Sequence, residues 1–235
     1  MIDENTRKRF VVSGFRDLES QLADCMGYIP FIDSNKYILS PKFIPIISES
    51  CGFIESIFKE SEGNKDRRYA LKDYTKLLEP RLELENTITV FLNSPIFFLN
   101  PFKSWTNSQP TWWKAYNMLK HHRLSSYEIA TFDNAIMAMA ALHQVISRSI
   151  DFVPSLISDG WFNADSADVG ELIVARIIEA GVPIHVIPVE SRFFVSPLRD
   201  NFVSINDGDT KIEECDFSNR VKCILSVYEW LTPIE

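Results

Sequence analysis

The residues best suited to chemistry lie between positions 103 and 123. Residues 105 to 123 read WTNSQPTWWKAYNMLKHHR, and Lys103 precedes them, so three tryptophans, Tyr116, four cationic side chains and two adjacent histidines fall within a few helical turns. On a helix, Asn117 and His121 stand at i and i+4 with Lys114 three residues earlier, so all three project from one face. Lys120 and Arg123 form a second cationic row beside them. Such a face could hold a phosphate by charge while an imidazole, which exchanges protons near neutrality, acts as acid or base. RNA supplies its own nucleophile in the 2′-hydroxyl, so its cleavage needs only a base, an acid and cationic stabilisation of the phosphorane. In that scheme His121 is the acid or base, Asn117 orients it or the scissile phosphate, and Lys114, Lys120 and Arg123 bind phosphate. Tyr116, His122 and His143 stand behind them as supporting residues. A second reading is structural. Trp112, Trp113 and Tyr116 are then core aromatics, Asn117 and His121 bond to each other or to a loop, His122 is a surface residue, and His143 is a buried, hydrogen-bonded imidazole.

The run from Trp112 to Arg123, followed by an alanine-rich helix ending Ala140-Ala141-Leu142, resembles the YNxxKHxR variants of the HEPN (higher eukaryotes and prokaryotes nucleotide-binding) domain family. The resemblance spans about residues 10 to 150. It implies an all-α bundle of long helices, commonly dimeric. In active members an arginine and a histidine from each protomer form a metal-independent endoribonuclease site in the dimer cleft, with a polar residue, often asparagine, after the arginine. Such proteins serve toxin–antitoxin, abortive-infection and other prokaryotic defence systems. Carried over by position, His121 is the motif histidine and Asn117 the polar residue. The arginine position holds Tyr116, which leaves Lys114 or Arg123 as the substitute cation. Lysine lacks the planar fork with which guanidinium grips phosphate.

The elements that position these residues are mostly helices. Apolar spacing predicts helices over 15–28, 43–58, 69–78, 111–122 and 126–150, with the third ending at or before Glu79 because Pro80 follows. The seam Ile129, Phe132, Ile136, Met139, His143, Ile146, Ile150 makes the fifth the clearest, and His143 on it could instead face His121 across the bundle or a dimer axis. Residues 86–101 read as extended or irregular. Beyond Pro154, a helix over 165–180, short strands over 184–189, 192–195 and 202–205, and a helix over 218–231 are expected. The expected fold is mainly α: a helical bundle over 1–152 with a smaller C-terminal α+β extension over 153–235 packed on it.

The chain has 235 residues, 46% of them hydrophobic and 12% aromatic, enough for a substantial core. With 24 basic and 32 acidic residues its formal charge is −8, which excludes non-specific coating of nucleic acid. Between Glu85 and Glu128 there is no Asp or Glu, so the candidate site lies in a basic window. No 18-residue apolar run and no secretory leader is read, which predicts a cytoplasmic protein with no membrane partner. Cys25, Cys51, Cys215 and Cys223 have no C-x-x-C spacing and are expected as reduced, partly buried thiols. Asp165 with Asp168 and Asp207 with Asp209 fit a cap and a turn, so neither a metal nor a cofactor is expected. Two functions follow: a metal-independent endoribonuclease or RNA-binding protein of a defence or toxin–antitoxin system, with RNA as partner and a homodimer as its form, or a non-catalytic helical binding or regulatory module that uses the aromatic-rich surface to bind a protein partner or its own copy.

Overall fold

A computed structural model describes residues 4–61, 70–122, 125–161, 188–197, 204–206 and 209–211. It is mostly helical with a small antiparallel sheet. The helices are α1 (Glu4–Met26), α2 (Phe43–Ser61), α3 (Leu71–Leu82), α4 (Thr111–His122), α5 (Phe132–Arg148) and the short α6 (Val153–Ser158). None among the described residues is long and apolar enough to cross a membrane. The expected helices over 165–180 and 218–231, the pair Asp165 and Asp168, Asp207, Cys215 and Cys223 lie outside the described residues.

Helix α5 is the centre of the bundle. Every residue from Ala138 to Arg148 is buried, because α2 and α4, α1, and the sheet pack on different sides of it. Its alanines leave room for that close approach. The helix starts later than its seam suggests. Residues 127–129 form a single 3₁₀ turn, and Thr131 caps α5 by accepting the Asn134 N–H at 3.2 Å. In α2 the stripe Phe43, Ile46, Ile47, Cys51, Ile54, Ile57, Phe58 is buried throughout. Pro45 lies in its first turn, where a missing N–H costs little.

Helix α1 packs against α2 at Gly14, where an added Cβ would stand 2.5 Å from the ring of Phe53. Glycine inside a helix costs about 1 kcal/mol relative to alanine, and here that cost is offset by the contact. Gly14→Val should lower the urea unfolding free energy by about 1–3 kcal/mol through overpacking. In a Phe53→Leu background Gly14→Ala should be neutral or stabilising, and an equal loss in both backgrounds would contradict the packing account.

Helix α3 departs from expectation. It runs through Pro80 and ends instead at Glu83, whose φ of 51° breaks the helix in the left-handed region. Three contacts outweigh the proline. Leu78 and Leu82 are buried on one face. The Glu79 carboxylate accepts the N–H groups of Leu84 and Glu85 and the indole N–H of Trp105. Fully buried Arg148 donates to the Leu82 carbonyl and pairs with Glu83 at 3.1 Å.

The sheet has the order β2-β1-β4-β3, with β1 (Thr89–Phe91), β2 (Phe97–Leu99), β3 (Pro188–Glu190) and β4 (Phe194–Pro197) all antiparallel. It therefore draws strands from both sides of residue 152. Strands β5 (Ser204–Asn206) and β6 (Asp209–Lys211) form a separate hairpin. Buried Glu19 of α1 fastens the β3–β4 turn, accepting from the Ser191 hydroxyl at 2.6 Å and the Phe193 N–H at 3.0 Å.

Candidate functional site

Helix α4 begins just after Pro110 and turns its aromatic side inward. Trp112, Trp113 and Tyr116 are buried, and the Trp112 indole donates to the Pro101 carbonyl at 2.7 Å. Its outer side carries Lys114, Met118, His121 and His122, all exposed, with Asn117 half-buried. His121 and His122 stand in the last turn with ring centroids 6.5 Å apart. Neither their side chains nor those of Lys114 and Asn117 bond to another described residue. Arg123 lies outside the described residues.

Lys120 does not belong to this open set. It donates to the Glu55 carboxylate at 3.2 Å and to the Tyr116 hydroxyl at 3.1 Å, and the Tyr116 hydroxyl donates to Glu55 at 2.8 Å. Glu55 comes from α2 and is also paired with Lys59 at 2.6 Å. Partial burial opposes ionisation of Glu55, but hydrogen bonds from Lys59, Tyr116 and Lys120 and the Lys120 charge outweigh it and hold its carboxyl down at about 2. Burial, reinforced by Glu55, pushes the Tyr116 phenol up. The bond to Tyr116 and then that to Glu55 raise Lys120, so the triad is anion, neutral phenol and ammonium near neutrality. A phosphate reaching Lys120, expected from the sequence as a phosphate ligand, would compete with the Glu55 carboxylate for its ammonium. Tyr116 points into the bundle and not behind His121.

The acid-free window is a property of the linear order and not of the space around it. Glu55 reaches Tyr116 and Lys120, Glu79 reaches Trp105, and Glu85 accepts from the Thr106 hydroxyl. Carboxylates from α2, α3 and the residues after α3 line the stretch that has none of its own.

His143 is placed elsewhere. It is fully buried, stacked on Trp161 at 5.3 Å and 11°, with Phe15 and Phe194 as further ring neighbours. Its Nδ1 shares a 2.8 Å hydrogen bond with the Ser196 hydroxyl, which is itself 2.8 Å from the Thr89 hydroxyl. Nε2 has no hydrogen-bond partner among the described residues. Burial holds the imidazole down at about 3, so it is neutral near pH 7. The ring and hydroxyl partners of His143 come from α1, α5, residue 161 and the sheet, not from α4, so within the chain it does not face His121. The described residues bring no three His, Cys, Asp or Glu side chains together in a metal-holding group. Cys25 and Cys51 are buried free thiols.

No family model matches the chain, and no curated protein or solved structure matches it.

Proposed function

We propose that the protein is a non-catalytic helical binding module whose outer α4 face, with Lys114, Met118, His121 and His122, meets a protein partner. The observation that carries this reading is the Glu55 carboxylate bonded to Tyr116 and Lys120. In the HEPN-like alignment of residues, Tyr116 stands where an arginine would clamp phosphate. An ionised carboxylate 2.8 Å from that hydroxyl repels phosphate there and occupies Lys120. An exposed apolar Met118 among cationic neighbours suits an acidic, apolar protein surface.

The second reading, a metal-independent endoribonuclease of a defence or toxin–antitoxin system, rests on a separate observation. His121 and Lys114 are exposed and Asn117 is half-buried, all without side-chain partners among the described residues, so the atoms that acid–base chemistry would use are accessible. One experiment separates the two. Purified protein incubated with single-stranded RNA in EDTA is expected to leave it intact, and Glu55→Gln, which frees Lys120, is expected to strengthen RNA retention at low salt without cutting. Cleavage by the wild type that disappears in His121→Ala would replace the binding reading with the catalytic one.

A further inference from the structure

Away from α4, the chain between α1 and α2 folds back to leave an open pocket of about 250 Å³ lined by Cys25, Tyr28, Ile29, Ser40, Lys42 and Phe43. Its inner side is apolar: Cys25 and Phe43 are buried and Ile29 is half-buried. Its outer side carries one cation and one ring. Tyr28 is 84% exposed, and the Lys42 ammonium stands 5.8 Å from its ring centroid. Lys42 makes no ion pair among the described residues, whereas Arg7 and Arg16 of α1 are paired with Glu60 and Asp159. Ser40 adds a hydroxyl that accepts the Lys42 backbone N–H at 3.2 Å and keeps its own proton to donate.

We propose that this pocket binds a small single-ring aromatic carboxylate, the ring lying between Tyr28 and the Ile29–Phe43 side and the carboxylate meeting Lys42 and the Ser40 hydroxyl. Size and charge choose this class together. A cavity of about 150 Å³ holds benzene, so the pocket has room for one ring and a short chain. An apolar lining with an ammonium at its mouth that no described carboxylate pairs selects a ligand with one apolar body and one negative end. The inference is independent of α4 and survives either reading of it.

The test uses the full chain, 3-phenylpropionate and its uncharged counterpart 3-phenyl-1-propanol, followed by ligand-observed NMR and calorimetry. Saturable binding of the acid is expected, with the alcohol at least about tenfold weaker and Lys42→Gln at least about tenfold weaker for the acid, because each removes one charge of the pair. Tyr28→Ala should weaken acid and alcohol alike. Both substitutions are at exposed positions, and unchanged melting temperatures will show that the fold is retained. The proposal is overturned if the acid shows no saturable binding up to about 10 mM, a level that corresponds to almost no affinity. Equal affinity for acid and alcohol, or an unchanged affinity in Lys42→Gln, overturns it as well.

Discussion

Trp112→Ala is expected to lower the unfolding free energy by about 3–5 kcal/mol, the range for removing a large buried aromatic. Trp112 is 1% exposed and meets Phe102 and Trp113 edge to face at 5.4 and 5.6 Å. Its indole N–H is also the partner of the Pro101 carbonyl, so alanine leaves both a void and an unpaired acceptor. Trp112→Phe should cost less, since most of the ring volume stays and only the hydrogen bond is lost. Met118→Ala on the outer face of the same helix should stay within about 0.5 kcal/mol. Urea titrations followed by tryptophan fluorescence read all three. A base-stacking platform would behave in the opposite way, with Trp112→Ala sparing stability and reducing RNA affinity.

The second large effect is on acid stability. His143 is held at about 3 in the fold against an ordinary 6.5, because burial penalises its charged form. The unfolded chain therefore binds a proton that the folded chain refuses, and stability present above pH 6.5 is lost as the pH falls toward 3. Between about pH 7 and pH 4 the loss from this one residue is about 3 kcal/mol. Glu55, lowered to about 2, adds a loss of the same sign below its ordinary 4.5. Burial raises Glu19, Glu79, Asp133 and Glu190, and these oppose the trend in the acid range. His143→Gln keeps a polar partner for Ser196 and cannot titrate. It should flatten the dependence of unfolding free energy on pH between about 6.5 and 4, whatever its stability at neutral pH. Parallel curves for the two proteins would contradict the assignment.

The helices were legible because burial imposes periodicity on the residues themselves. The α2 stripe from Phe43 to Phe58 and the α5 seam through Ile136, Met139 and Ile146 are buried as their spacing requires. Pro80 misled because local preference is one influence among several. It argues for a stop at Glu79, and the bonds that carry the helix on to Leu82 come from Trp105 and Arg148, distant in the chain. The same limit governs the site. Spacing places Lys114, Asn117 and His121 on one face of α4, but nothing in the order of residues says that α2 delivers Glu55 to Tyr116 and Lys120. Nor does it say which of the exposed aromatics end beside an open lysine. Tyr28 and Lys42 are brought together by the turn between α1 and α2, and the signal available for them was only that both are flanked by helix ends.

The pairing of β1 with β4 sets a schedule for synthesis. Val90 and Val195 are partners, so roughly 105 residues must be made after the first strand before the second exists. At about 5–20 residues per second the ribosome leaves that strand without its neighbour for roughly 5–20 s, while α5 has emerged with the side that β4 will cover still bare. The nascent chain is therefore a helical bundle with one open strand edge and one uncovered helix, a state that pairs readily with another chain of its kind. Crowded translation of this message should favour aggregation at that stage, and it is the arrival of residues 188–197 that closes the window.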